Sequence, residues 1–79
     1  MGLIAKGSFV AHVEHGTLGV VSEIPNTSGF FHVYWLTEWD ETNQELHYFQ
    51  EFISDKELLH IESSRRHSGL EALRRFINR

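Results

Sequence analysis

Cysteine is absent from this chain, which removes disulfides, thiolate chemistry and cysteine-ligated zinc from consideration. Without such staples, 79 residues form one domain that must bury most of its large apolar side chains, and six Phe, two Trp and two Tyr are the main supply. The lack of cysteine also suits a reducing compartment, so a cytoplasmic location is expected. No stretch approaches the ~20 consecutive apolar residues of a membrane span, and residues 1–6 carry no secretory cleavage pattern. The Met-Gly start fails the myristoylation pattern because position six is Lys6. A soluble chain with no membrane association is therefore expected. Basic residues are scarce and unevenly placed. Residues 1–62 carry ten carboxylates against Lys6 and Lys56, a net charge of −8, whereas residues 63–79 carry five arginines against Glu71, a net charge of +4. The body repels a phosphate backbone; the tail attracts one or folds back onto the body.

What is present reads as a succession of short strands. Phe9, Ala11 and Val13 alternate with Val10, His12 and Glu14, and His15-Gly16 then breaks the run where a turn needs positive φ. Leu18–Ile24 reads as a second strand, Pro25–Gly29 as a turn, and Phe30–Leu36 as an aromatic and β-branched central strand. Thr37–Gln44 is polar and acidic and reads as an exposed loop. Glu45–Gln50 reads as a fourth strand, and a tight helical turn around Ser54–Lys56 leads into a fifth, closing strand ending at Ile61.

The character changes after Glu62. Ser68-Gly69-Leu70-Glu71 fits a Ser-x-x-Glu capping box, which predicts a helix over 69–78 with Leu70, Leu73, Phe76 and Ile77 on one face. So short a helix must dock its apolar stripe on the open edge of its own small β-barrel or on a partner. The expected organisation is a β body over residues 1–62 and a basic amphipathic helix over 63–79.

The order of strands and glycine turns over residues 7–62 resembles the SH3-like small barrels of the Tudor and KOW kind. Within that group, Val10-x-His12-x-x-His15-Gly16-x-x-Gly19-x-Val21, with Trp35 and then Phe52–Ile61, is similar to the bacterial modules that close UvrD-type helicases and open CarD-type transcription regulators. The resemblance implies a mainly β fold, a five-stranded SH3-like antiparallel barrel with a C-terminal amphipathic α-helix. It also implies a partner within a transcription or replication complex.

No nucleophile motif and no tellingly spaced acid pair is present, so an enzyme is not expected. Six histidines raise a metal, but on strands they read as half-buried or surface groups, and neither a metal site nor a cofactor is expected. Tyr34, Trp35, Trp39, Tyr48 and Phe49 offer rings for an aromatic cage, yet a core this small needs most of them, including Phe49 and whichever of Tyr34 and Trp35 points inward. Trp39, in a polar segment without an evident core partner, stands out as a contact residue. The expected function is a non-enzymatic protein-interaction module that presents Trp39, Glu38, Asp40 and Glu41, with Tyr34, to a partner surface. The alternative is a nucleic-acid accessory protein that uses Arg65, Arg66, Arg74, Arg75 and Arg79. A homodimer through Leu70, Leu73, Phe76 and Ile77 is a third expectation.

Overall fold

The alternation in the first strand decides two faces at once. In the computed structural model, which describes residues 4–25, 29–61 and 67–79, β1 (Phe9–His12) points Phe9 to one face of a sheet and Val10 and His12 to the other. Four more strands complete it: β2 (Leu18–Glu23), β3 (Phe30–Asp40), β4 (Glu45–Ser54) and β5 (Leu58–Ile61), all antiparallel, in the order β4-β3-β2-β1-β5. The five expected strands are present in one open sheet: among the described residues no pairing joins its edge strands, β4 and β5. A three-residue 3₁₀ turn, Asp55–Glu57, connects those edges, capped by the Ser54 hydroxyl, which accepts from the Lys56 N–H at 3.2 Å.

Both faces carry apolar clusters. Val10, Val21, Phe31, Val33, Trp35, Ile53 and Leu58 form one core on the face without the helix. Phe9 and Val20 form the other with Leu70 and Leu73 of helix α1 (Ser68–Ile77), flanked by half-buried Tyr34, Leu36, Leu46, Tyr48 and Phe76. Leu70 and Leu73 are fully buried, and each contributes about 1.5–3 kcal/mol in this setting. The helix thus docks on its own sheet. Of the four stripe residues, Leu70 and Leu73 are fully buried against the sheet and Phe76 and Ile77 are half-buried. No helix among the described residues is long and apolar enough to cross a membrane.

Three local expectations are corrected. The segment 37–40 is strand, not loop: β3 continues to Asp40, and a turn over 41–44 returns the chain to β4. The register with β4 slips between Leu36 and Glu38, a β-bulge at Thr37. That extra residue reverses the alternation, so Trp39, paired with Leu46, lies on the helix side with Tyr34 and Leu36 instead of the Trp35 side. The helix cap also differs. His67 Nδ1 accepts from the Leu70 N–H at 3.2 Å, while the Ser68 hydroxyl, expected to cap, accepts from Trp39 Nε1 at 2.9 Å. Glu71 pairs forward with Arg74 at 3.1 Å instead of reaching back. The expected boundary between body and tail, at 62–63, lies outside the described residues, as does the middle of the Pro25–Gly29 turn.

Candidate functional site

The β1–β2 turn is organised by a histidine. His12, 8% exposed, accepts at Nδ1 from the N–H groups of Glu14 at 3.1 Å and His15 at 3.3 Å, as a turn-forming aspartate or asparagine would. Gly16, at φ +72°, closes the turn by donating to the His12 carbonyl at 2.9 Å. With Nδ1 accepting twice, the imidazole proton sits on Nε2, which lies 3.3 Å from Glu57 Oε1 in the 3₁₀ turn. The His15 ring stacks on that of His12 at 4.6 Å, and the Trp35 ring meets His12 edge-on at 5.9 Å.

Beside this turn lies a cleft of about 330 Å³, lined by Glu14, His15, Phe49, Glu51 and Glu57 with His12 and Trp35 behind them. Two of its carboxylates are held in place. Trp35 Nε1 donates to Glu51 Oε1 at 2.8 Å, and His12 faces Glu57. The Phe49 ring, 46% exposed, stands at the cleft wall. No lysine or arginine lines it among the described residues. A second groove of about 560 Å³ shares His15, Thr17 and Phe49 with the first and continues past Glu38 to Trp39 and His67. Together they form an acidic trough with aromatic walls.

His12, Glu14 and His15 also bring three metal-ligating atoms within 4.8 Å of one another. His12 has no lone pair to give: Nδ1 serves two backbone amides and Nε2 carries the proton. In this arrangement the trio organises the turn and does not offer a ready metal site.

The residues singled out by sequence are dispersed. Trp39 is half-buried, bonded to Ser68 and packed beside Gly69, so it is not the solvent-facing loop tryptophan the sequence suggested. Glu38 lies on the opposite face of β3, paired in register with His47. Asp40 and Glu41 flank the hairpin end. There the Asn43 side chain donates to Asp40 Oδ2 at 2.8 Å and its N–H to Oδ1 at 3.2 Å, which lowers the Asp40 pKa from its ordinary value. Tyr34 is half-buried on the helix side, its ring 5.3 Å from that of Tyr48. The five candidate cage rings are split, with Tyr34, Trp39 and Tyr48 on the helix side and Trp35 and Phe49 on the other, so they form no single cage. Phe49, expected in the core, is exposed on edge strand β4, where no described element packs over it. Arg74 pairs with Glu71 and lies over the Phe9 ring at 4.5 Å, and Arg79 lies over Phe76 at 5.3 Å. Arg75 is exposed, and Arg65 and Arg66 fall outside the described residues.

Sequence reading missed His12, Phe49, Glu51 and Glu57 as a group because they meet only through register. His12 pairs with Leu58, which sets Glu57 beside it, and Phe49 pairs with Trp35. The available signal was the matched parity of Phe49 and Glu51 on one strand and Val33 and Trp35 on the next. No protein-family model, curated protein or solved structure matches this chain.

Proposed function

We propose that this chain is a non-enzymatic protein-interaction module that takes a cationic side chain of a partner protein into the cleft between the β1–β2 turn, the 3₁₀ turn and the β3–β4 pair. The reading is carried by the fixed carboxylates of Glu51 and Glu57, oriented by Trp35 and His12 before any partner arrives, beside the accessible ring of Phe49. Pre-set acceptors cost little ordering on binding, and a guanidinium or ammonium set against an aromatic face gains about 0.5–2 kcal/mol more. The SH3-like resemblance, with which the five-stranded antiparallel sheet is compatible, implies such a role. It suggests a partner with a basic segment within a transcription or replication complex. The contact surface moves from the Trp39 segment to the cleft, with Glu38 extending it along the second groove. The arginine helix supports a nucleic-acid role less well, since Arg74 and Arg79 are each engaged within the chain.

The test is titration of the isotope-labelled chain with acetyl-arginine amide and with a short oligoarginine. Saturable amide shifts are expected at His15, Phe49, Glu51 and Glu57, weakened by salt and abolished in Glu51→Gln/Glu57→Gln. Shifts spread evenly over every surface carboxylate, or unchanged in the double variant, would reject the cleft.

A further inference from the structure

Strand β4 has the features of an acceptor for another strand. It is an edge strand of ten residues, against four in β5 at the other edge, and it contains neither proline nor lysine. The register slip in its pairing with β3 arises in β3, so β4 itself runs without a bulge. Strand edges of soluble proteins are ordinarily blunted by shortness, lysine, proline or bulges. Here none of these protects Glu45–Glu51, and no strand pairs with its outer side among the described residues.

The side chains along that edge are sorted by sign and polarity. Glu45, His47, Phe49 and Glu51 share one face, that of the acidic cleft, while Leu46, Tyr48 and Gln50 share the face covered in part by α1. In an added antiparallel strand, residues directly opposite lie on the same face. Complementarity therefore selects a segment in which basic residues alternate with apolar ones.

We infer that the outer edge of β4 over Glu45–Glu51 takes up an extended basic segment of the partner protein as a sixth strand. Its lysines or arginines lie against Glu45, Phe49 and Glu51, and its apolar residues extend the Leu46–Tyr48 surface. Main-chain hydrogen bonds supply length-dependent affinity and the acidic cleft supplies selectivity for positive charge. A second copy of this chain is the poorer occupant. It would bring its own Glu45 and Glu51 to a face that already holds Glu14 and Glu57, on a molecule of net charge −4. The inference rests on the cleft reading for its charge preference and adds the backbone pairing.

The experiment uses the intact chain and a short acetylated peptide alternating lysine and valine. Two further versions are N-methylated on alternate residues, one in each phase. Both keep every charge, and each removes the N–H donors from one peptide edge only. Pairing on β4 predicts that one phase binds like the parent and the other roughly tenfold or more weakly, because several hydrogen bonds are lost together. Slowed amide exchange is expected at alternate residues of β4. Equal binding of all three peptides overturns the edge pairing and leaves the cleft standing. Failure of all three together with acetyl-arginine amide removes both. Sedimentation as a dimer with β4 amides already protected assigns the edge to a second copy and overturns the inference.

Discussion

The indole N–H of Trp39 donates to the hydroxyl of Ser68 across 2.9 Å, joining the end of the long β3–β4 hairpin to the first turn of α1. The bond exists because the bulge at Thr37 turns Trp39 to the helix side and because His67, not Ser68, caps the helix. Ser68→Ala should cost no more than about 1 kcal/mol, because the bond is exposed and water can take the place of the hydroxyl, and Trp39→Ala about 2–4 kcal/mol because it removes the ring beneath the helix. Denaturant melts of the two variants check this. Unchanged stability in Ser68→Ala would show that the hydroxyl does not fix the helix.

Gly69 is buried in the first turn of the helix, where alanine has the better helix propensity. A Cβ there would lie 2.9 Å from both a Leu36 methyl and the Trp39 Cβ. Gly69→Ala should therefore destabilise the fold by about 1–3 kcal/mol despite the better helix propensity. Stabilisation in a thermal melt would mean that the helix docks with room to spare.

Asp40 accepts first from the Asn43 side chain and then from the Asn43 backbone, which holds its pKa below the ordinary aspartate value. A lowered folded-state pKa contributes stability that is present above the unfolded-state pKa and lost as pH falls through the folded-state value. Asn43→Ala should raise the Asp40 titration midpoint and flatten the acid limb of the stability curve. Carboxyl-detected NMR titration reads this directly, and an unmoved midpoint would show that Asn43 is not the cause.

His12 should appear in long-range ¹H–¹⁵N spectra near neutral pH as the Nε2–H tautomer, with Nδ1 unprotonated. His12→Phe keeps an aromatic ring beside Trp35 but leaves the Glu14 and His15 N–H groups without their acceptor, at a cost of about 1–3 kcal/mol. His12→Asn, which can accept from the same amides, should recover part of that loss. The Nδ1–H tautomer would contradict the turn geometry and reopen the trio with Glu14 and His15 as a metal site.

The strands were legible because alternation and turn residues are local, whereas the pairing of β1 with β5 joins residues far apart in sequence. Phe9–His12, Leu18–Glu23 and the turn before Leu58 all follow from neighbours in sequence. The helix was legible in place but not in its cap, since Ser68 had two suitors and only the tertiary position of Trp39 decides between them. The extension of β3 was hidden by the acidic composition of Glu38–Glu41, which an edge hairpin tolerates because its side chains reach water. The cleft was the least legible part. Its carboxylates are ordinary exposed glutamates until register sets Glu51 under Trp35 and Glu57 against His12.

Val20 and Val21, adjacent on β2, are both fully buried, Val20 in the cluster under the helix and Val21 in the cluster on the opposite face. Neighbouring positions at this point of β2 therefore both lack a wet side, and polar replacements at either meet the same resistance, whereas on β3 half-buried His32 and Tyr34 alternate with buried Val33 and Trp35. A deep mutational scan should return Val20 and Val21 intolerant of polar residues side by side, and exposed positions of β4 such as Glu45, His47 and Gln50 tolerant of wide substitution as far as stability is concerned. On β2 the chain thus has no spare face at its centre, and room for sequence change without loss of the fold lies at the margins of the sheet.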